Sequence, residues 1–332
     1  MPIDFHPTMS TSRRRLLGTA VAIGAATALA ACGEETSEGG SQGASQWAYT
    51  DGRDRKVELP GAPESIVAFT GLAAALHDYG IGVDAVFGPT VKADGSPDLQ
   101  AGRLDVDGLT IIGNALGEFD EEAYVGLEPD VLISHFYAGF DLWFVPEEHL
   151  KTVESNAPTI GIEVSGGDLT EIIARHTDLA KALGADLDGD EAKDAQARYN
   201  SAAETLSAAK KPPKVLACTA IKDYFYVGDH TWFPDLQTAA ALGVEFVEPE
   251  TDETGYWETL SWENVGKYEA DVILLDVRTQ SLQQDAMAEF PTWKVLPAVQ
   301  AGKVFSWNPE PVYSPLGGAE ALELIAEAVK SA

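Results

Sequence analysis

The chain has 332 residues, 45% of them apolar, and carries a formal net charge of −31. Its length and apolar fraction are sufficient for one or two globular units with cores of their own. Such an acidic surface repels nucleic acid and anionic lipid, which excludes nucleic acid as a partner. The two cysteines, Cys32 and Cys218, exclude a disulfide framework of several bridges, and the apolar run around Cys218 predicts an inert core thiol.

The N-terminal segment carries a pattern typical of export and lipid modification. Arg13 and Arg14 stand before two leucines, and an apolar run rich in Gly and Ala follows. This run is too short to remain as a membrane-spanning helix. It ends in Leu-Ala-Ala-Cys32, which is typical of cleavage just before a cysteine that then receives lipid. We therefore predict a twin-arginine lipoprotein signal peptide over residues 1–31, the alternative being an uncleaved signal anchor.

Residues 32–46 are rich in Gly, Ser, Glu and Gln, which predicts a flexible polar tether. A diacylglyceryl group on Cys32 would hold the protein firmly, because two acyl chains bind a membrane far more strongly than one. We therefore expect an extracytoplasmic protein that is anchored by lipid to the outer face of the cytoplasmic membrane.

Residues 47–167 alternate short apolar runs with helical stretches, which favours a parallel α/β lobe. The predicted strands are Ser65–Phe69, Val83–Phe87, Leu109–Ile112, Pro129–Ser134 and Pro158–Val164. An Ala-rich helix is predicted to end at Tyr79, and a second helix covers Asp120–Leu127.

Residues 168–211 are predicted to be helices that link two lobes. Asp168-Leu-Thr-Glu171 is a capping pattern, and the helix that it begins should end near Leu183. After a break over 184–189, a longer helix covers Asp190–Lys210.

Residues 212–332 resume the α/β alternation and predict a second lobe. The predicted strands are Lys214–Ala220, Tyr224–Val227, Val244–Val247, Asp271–Asp276 and a last strand ending at Trp307; the helices are Phe233–Leu242 and Gly318–Lys330. The predicted fold class is α/β, with two Rossmann-like lobes that have parallel sheets and are joined by a single long helix.

This organisation resembles the helix-linked substrate-binding lipoproteins of ABC importers. Members of that group carry iron–siderophores such as ferrichrome, and others carry cobalamin, haem or bare metals. Three sequence patterns carry the resemblance. They are EAYVGLEPDVLI at 122–133, LSWE at 260–263 followed by ADVIL at 270–274, and PTWKVLPAVQAGKV at 291–304. The resemblance implies the two-lobed fold of class III periplasmic binding proteins.

The resemblance also implies a role for Glu122 and Glu263, each predicted at the start of a helix, one in each lobe. In the family, two such carboxylates dock into arginine pockets of the permease, and charge-assisted pairs of this kind orient the partners. The alternative is that both carboxylates only interact with a helix dipole. The implied partners are an ABC permease and ATPase complex, approached by a monomeric receptor.

The ligand class follows from what the loops contain. The six histidines are scattered, which argues against a bare-metal site. Few arginines lie in loops, which argues against a strongly anionic catecholate complex. Aromatic residues are abundant there, and their rings suit a bulky, weakly charged ferric hydroxamate complex in which the chelator already holds the iron. We expect no intrinsic cofactor and no protein-ligated metal.

The second half is similar to hydroxamate-siderophore binders such as the ferrichrome-binding protein. Trp257 matches the cleft tryptophan of that family, Tyr137 stands where its first-lobe tyrosine lies, and Tyr313 stands near a late cleft aromatic. The arginine that such binders place before the first docking glutamate is absent, since Asn114 occupies that region. Arg278, which follows a predicted strand, and Arg103 are the candidate substitutes.

Trp143 and Trp232 complete the predicted ligand-binding set, with core packing as the alternative for both. We therefore expect a lipid-anchored receptor that captures a ferric siderophore and hands it to an ABC importer for iron uptake. Cobalamin or haem is the alternative ligand, with Tyr137 or His135 as a haem ligand. An extracytoplasmic enzyme is less favoured, because no nucleophile, base and orienting residue form a recognisable set. The paired glutamates argue against a purely structural lipoprotein.

Overall fold

The computed structural model of the protein describes residues 46–137, 141–209, 212–251 and 255–331. The predicted export signal with Arg13 and Arg14, the lipidation site Cys32 and nearly all of the tether lie outside the described residues. Every element and both lobes named below lie within 46–331, so a chain that begins at Gly33 carries all of them. Among the described helices, none combines the length and the apolar character needed to cross a membrane.

The described residues form thirteen strands and ten α-helices. The strands are β1 Trp47–Thr50, β2 Lys56–Leu59, β3 Ile66–Phe69, β4 Ala85–Phe87, β5 Thr110–Ile111, β6 Val131–Phe136, β7 Thr159–Glu163, β8 Lys214–Ala220, β9 Phe225–Gly228, β10 Glu245–Phe246, β11 Trp257–Leu260, β12 Val272–Asp276 and β13 Val304–Trp307. The α-helices are α1 Thr70–His77, α2 Glu121–Leu127, α3 Glu147–Asn156, α4 Leu169–Ala182, α5 Asp190–Ser207, α6 Pro234–Ala241, α7 Gln284–Met287, α8 Pro291–Lys294, α9 Pro297–Gln300 and α10 Pro315–Lys330. Single 3₁₀ turns lie at Leu99–Ala101, Val106–Gly108, His230–Trp232 and Trp262–Asn264.

The first lobe is built on a five-stranded parallel sheet with the order β5-β4-β3-β6-β7. All four residues of β3 and the first five of β6 are buried. Continuous burial of this kind is expected for central parallel strands, because helices cover both faces of the sheet. An antiparallel hairpin of β1 and β2 precedes this sheet.

The second lobe contains a mixed sheet with the order β11-β9-β8-β12-β13, and β10 pairs with β8. Strands β8, β10, β12 and β13 are parallel, whereas β9 runs antiparallel to both β8 and β11. This sheet is therefore not wholly parallel, unlike the predicted one. The reason is local: residues 221–224 alone connect β8 to β9, and a connection that short cannot make a parallel crossover.

Side chains of β8 alternate between two cores, one on each face of the second sheet. Val215 and Ala217 pack in the core that includes α10, while Leu216 and Cys218 pack on the opposite face. Cys218 is completely buried, as predicted, and burial raises the pKa of its thiol well above the usual value. A thiol in this state is a poor nucleophile.

The helix α4 joins the two lobes. Asp168 caps it by accepting the backbone N–H of Glu171 at 2.9 Å. At its start, the backbone N–H of Leu169 donates to Thr238 Oγ1 of the second lobe at 2.9 Å. Near its end, the indole of Trp47 in the first lobe donates to the carbonyl of Ala182 at 2.7 Å. The longer helix α5 packs along α10 in the second lobe.

Gly318 lies where α10 meets α4 and α5. A Cβ atom placed on Gly318 would lie 2.6 Å from Ile173 Cδ1 and 3.1 Å from the ring of Tyr199. The three helices can therefore approach each other closely only because this residue has no side chain. Their contact makes a packed support behind the junction of the lobes.

Candidate functional site

The candidate site lies where strands of both lobes end. Strand β6 ends at Phe136, directly before Tyr137, and β12 ends at Asp276, two residues before Arg278. In open α/β sheets, ligands bind beyond the carboxyl ends of the strands. The segment that follows β13 also reaches this edge and carries Glu310.

On the side of the first lobe, Tyr137 and Trp143 form an aromatic pair. Their ring centroids lie 4.9 Å apart in an edge-to-face arrangement. The loop that carries Trp143 is held against β6, because the backbone N–H of Trp143 donates to the His135 carbonyl at 2.7 Å. The hydroxyl of Ser134 donates to the Trp143 carbonyl at 2.8 Å. Both predicted ligand-binding rings are half-buried, so each keeps some exposed surface.

On the side of the second lobe, a larger aromatic group faces the junction. The centroid distance is 4.8 Å between Trp232 and Tyr256, and 4.9 Å between Phe233 and Trp257. Trp232 is 39% exposed, whereas Trp257 is half-buried. Trp257 is the first residue of β11 and not part of a loop, which differs from the expectation that cleft aromatics stand in loops.

Trp307 packs against this aromatic group from the core of the second lobe. It is 2% exposed, and its indole N–H donates to Asp235 Oδ2 at 2.7 Å. Burial raises the pKa of Asp235 to about 7, although the bond from Trp307 opposes the rise. Trp307 therefore serves the core of the second lobe and supports Trp257, whose centroid lies 6.2 Å away.

Arg278 is fully engaged by carboxylates. Its Nη2 lies 2.8 Å from Asp276 Oδ2, and its Nη1 lies 2.9 Å from Glu310 Oε1. Asp276 is completely buried and also accepts the hydroxyl of Ser281 at 2.9 Å. Burial lowers the pKa of Arg278, but the two carboxylates outweigh it and the pKa is raised. The guanidinium is charged, but this charge is already neutralised.

Polar contacts across the lobes surround this ion-pair cluster. The Gln100 amide donates to Glu310, and the hydroxyl of Thr279 donates to Asp98 Oδ2 at 3.0 Å. Gln100 and Asp98 belong to the first lobe, whereas Glu310 and Thr279 belong to the second. Arg103, the other arginine considered as a substitute in the cleft, also bridges the lobes and does not offer a free charge, since it pairs with Asp78 and Glu320.

Tyr313 is buried inside the junction, deeper than a residue that lines an open cleft. It is 2% exposed, and its ring centroid lies 5.6 Å from His135 and 5.3 Å from His176. Burial raises the pKa of Tyr313 well above its usual value, and the charge of Glu310 adds to the rise. His135 is also unsuited to bind a haem iron here, because it is 3% exposed and its Nε2 lies 2.9 Å from Nε2 of His176.

The two predicted docking carboxylates are both exposed, one in each lobe. Glu122 lies in the first turn of α2, which Asp120 caps by accepting the N–H of Ala123 at 2.9 Å. Glu263 does not begin an α-helix as predicted; it lies in the single 3₁₀ turn Trp262–Asn264. The buried neighbour of Glu263 holds this turn, because the Trp262 indole donates to the Lys222 carbonyl at 3.0 Å.

Several residues of the junction were not predicted from the sequence. They are Asp98, Gln100, Thr279 and Glu310. Glu310 follows the last strand at the same edge as Arg278, so the rule that selected Arg278 could have selected it too. Asp98 and Gln100 lie in a segment without periodic pattern, and no signal in the sequence indicates them.

Two α/β lobes that are joined by one helix and meet at an aromatic-lined junction define a two-lobed solute-binding protein. The model of the periplasmic binding protein family matches residues 66–311 of the chain. The chain belongs to the periplasmic binding protein family. No curated protein sequence matches it.

Solved structures agree with this assignment. The structure of DesE, a ferric-siderophore receptor protein from Streptomyces coelicolor, is 45% identical, with a TM-score of 0.82 over 86% of this chain and 98% of that one. The siderophore periplasmic binding protein from the fuscachelin gene cluster of Thermobifida fusca is 20% identical, with a TM-score of 0.61 over 82% and 99%. A FhuD-fold binding protein of a ferrichrome ABC transporter from Bacillus subtilis is 18% identical, with a TM-score of 0.53 over 81% and 97%. The last two show the fold alone.

Proposed function

We propose that this protein is an extracytoplasmic, lipid-anchored substrate-binding protein of an ABC importer, which captures a ferric siderophore of the hydroxamate class. The observation that carries the proposal is the 45% identity to a ferric-siderophore receptor, over 98% of that receptor's chain. In this proposal, Cys32 carries the lipid and the chelator holds the iron. The protein acts by binding and delivery and not by catalysis.

The aromatic junction supports the hydroxamate class. Tyr137 and Trp143 from one lobe, and Trp232, Tyr256 and Trp257 from the other, offer large apolar faces together with hydrogen-bond donors. Such a surface fits a bulky chelate of low charge better than a small ion. A strongly anionic catecholate complex would need unpaired cations, but the guanidinium of Arg278 is held by two carboxylates.

Delivery in this proposal uses Glu122 and Glu263. Both carboxylates are exposed and lie on different lobes, so a permease that contacts both would orient the receptor. Charge-assisted contacts to arginine suit that purpose, because they are directional and speed association.

Tryptophan fluorescence of residues 33–332 tests the ligand class. We expect tight, saturable quenching by ferrioxamine B or ferrichrome, and weak or no quenching by ferric enterobactin, haemin or cobalamin. In Trp257→Ala, affinity should fall by at least about tenfold, because a half-buried aromatic side chain that contacts the ligand is lost. The matched control is Trp47→Ala, which removes a half-buried indole from the hairpin of the first lobe and should keep the affinity. Binding of haemin or cobalamin alone would contradict the ligand class.

A further inference from the structure

The junction contains more negative than positive charge. Asp276 alone neutralises Arg278, because it accepts both the backbone N–H and the side chain of that residue. Glu310 is a second carboxylate on the same guanidinium, with Nη1 to Oε1 at 2.9 Å. Asp98 of the other lobe is 7% exposed and adds a third carboxylate close by, bonded to Thr279. Two carboxylates therefore contact the one guanidinium, and the third accepts a hydrogen bond from the residue that follows Arg278 in the chain.

Glu310 is the carboxylate of this cluster whose negative charge acts on the aromatic side chains of the junction. Its side chain is 19% exposed, while that of Asp276 is completely buried. The charge of Glu310 raises the pKa of Tyr137, Tyr256 and Tyr313, after the larger effect of their burial. A carboxylate whose field acts on three rings of the junction also acts on a ligand that contacts those rings.

We propose that Glu310 is a specificity-determining residue that selects ferric chelates by their charge, so that a chelate with a free cationic group binds more tightly than a neutral one, and a neutral one more tightly than an anionic one. This inference rests on the proposed function, since it names the charge class of the ligand at the same site. In this proposal, the carboxylate of Glu310 over-compensates the positive charge of Arg278, which Asp276 already neutralises.

The size of the effect follows from Coulomb's law. Two unit charges roughly 10 Å apart, at an effective dielectric constant of about 20, change an affinity by roughly tenfold. A ligand pair that differs by two charge units is thus separated by more than tenfold. Mobile ions screen the interaction, so the separation should narrow at high salt.

The test uses three ligands with the same ferric centre and different terminal charges. Ferrioxamine B carries a free ammonium group, its N-acetyl derivative is neutral, and its N-succinyl derivative carries a carboxylate. Binding of each to residues 33–332 is measured by fluorescence quenching at low and high salt. In the wild type, we expect the affinity to fall in that order. In Glu310→Gln, the ratio of affinities for the cationic and anionic ligands should fall by at least about tenfold.

Glu327→Gln is the matched control, because it removes the same charge from an exposed position on α10 and should keep the wild-type ratio. Equal ratios in wild type and Glu310→Gln would overturn the inference while leaving the proposed function intact. Failure of all three ligands to bind the wild type would contradict the proposed ligand class and the inference with it. If Glu310→Gln does not fold, as shown by loss of its cooperative thermal transition, the order of the three affinities in the wild type still tests the inference. A wild-type preference for the succinylated ligand overturns it.

Discussion

The histidine pair at the lobe junction has its protonation state fixed by its neighbours. His176 Nδ1 lies 2.8 Å from the carbonyl of Ile172, so this nitrogen must carry the hydrogen. In neutral His176, Nε2 is then an acceptor, and His135 must donate to it across 2.9 Å. A proton added to His176 Nε2 would place two donors against each other in a buried site. Burial lowers the pKa of His176 to about 4 and that of His135 well below its usual value.

The pair therefore predicts a loss of stability in acid. A histidine whose pKa is lower in the folded state binds fewer protons there than in the unfolded state, so the free energy of unfolding falls as pH drops from about 6.5 towards about 4. His176 alone accounts for about 3 kcal/mol over this range. Asp235 acts in the opposite direction, because burial raises its folded-state pKa to about 7.

Urea unfolding of wild type and His176→Asn at pH 7 and pH 4.5 separates the two effects. Asp235 is present in both proteins and cancels in the comparison. We expect the pH-dependent decrease to be smaller in the variant by up to about 3 kcal/mol. An identical decrease in both proteins would show that the His176 pKa is not lowered by folding.

At the scale of single residues, the sequence indicates which residues lie near the junction, but it does not indicate which residues they pair with. Tyr137 and Arg278 each follow a strand at the carboxyl edge of a sheet, and this position is what makes them candidates in the sequence. The neutralisation of Arg278 by Glu310 was not found, since the two residues are 32 positions apart and only the packed fold brings them together. The contact of Gln100 with Glu310 spans 210 positions.

Among the elements, agreement between sequence and structure follows the strength of the apolar pattern. Strands β3, β6 and β12 begin within two residues of the predicted positions, because continuous apolar runs specify buried strands. The helix α3 is not predicted from the sequence, because Leu150 and Val153 are the apolar residues among its ten and Val153 is its single buried residue. The reversed direction of β9 depends on a four-residue connection, which the apolar pattern does not encode.

The start of α10 is the element on which the junction depends most directly. Ser314 caps this helix by accepting the N–H of Gly317 at 3.0 Å. A Cβ atom placed on Gly317 would lie 2.2 Å from the carbonyl oxygen of Val312. Because this oxygen belongs to the backbone, it cannot move without shifting the segment that carries Glu310 and Tyr313.

We predict that Gly317→Ala lowers the free energy of unfolding by about 1–3 kcal/mol, the usual cost of overpacking, and also weakens siderophore binding. Gly126→Ala is the matched control, because Gly126 is helical and, apart from its chain neighbours and the backbone of its own helix, no atom lies within 4 Å of the added methyl group. This control should gain up to about 1 kcal/mol from helix propensity. Urea unfolding and ligand titration measure both variants, and a Gly317→Ala protein as stable as the wild type would contradict the close approach.

At the scale of the whole molecule, the two-lobed architecture is predictable from the sequence, whereas the faces through which the lobes contact each other are not. Alternating apolar runs and helices specify two α/β lobes, and α4 was recognisable from its capping pattern. The face that each lobe presents to the other depends on how α4 packs against α1, α6 and α10. That arrangement arises from long-range contacts, which periodicity does not record.

The two lobes also define the spacing at which a permease would meet the receptor, and Glu122 and Glu263 are proposed as its two contacts. We predict that Glu122→Gln with Glu263→Gln strongly reduces cellular uptake of radiolabelled iron supplied as ferrioxamine B, while the dissociation constant measured on residues 33–332 is unchanged. Each lost charged hydrogen bond costs about 1.5–3 kcal/mol, or roughly tenfold to a hundredfold in docking affinity.

Glu148→Gln with Asp285→Asn is the control for this prediction. These exposed acids lie in the first turns of α3 and α7, one in each lobe, so the control removes the same charge from comparable positions. If the carboxylates only interact with helix dipoles, both double variants should behave alike. The docking role predicts that only the Glu122 and Glu263 variant loses uptake. Ligand binding is the same in the two double variants, so both supply the permease with loaded receptor. Normal uptake by the Glu122 and Glu263 variant would therefore contradict the docking role.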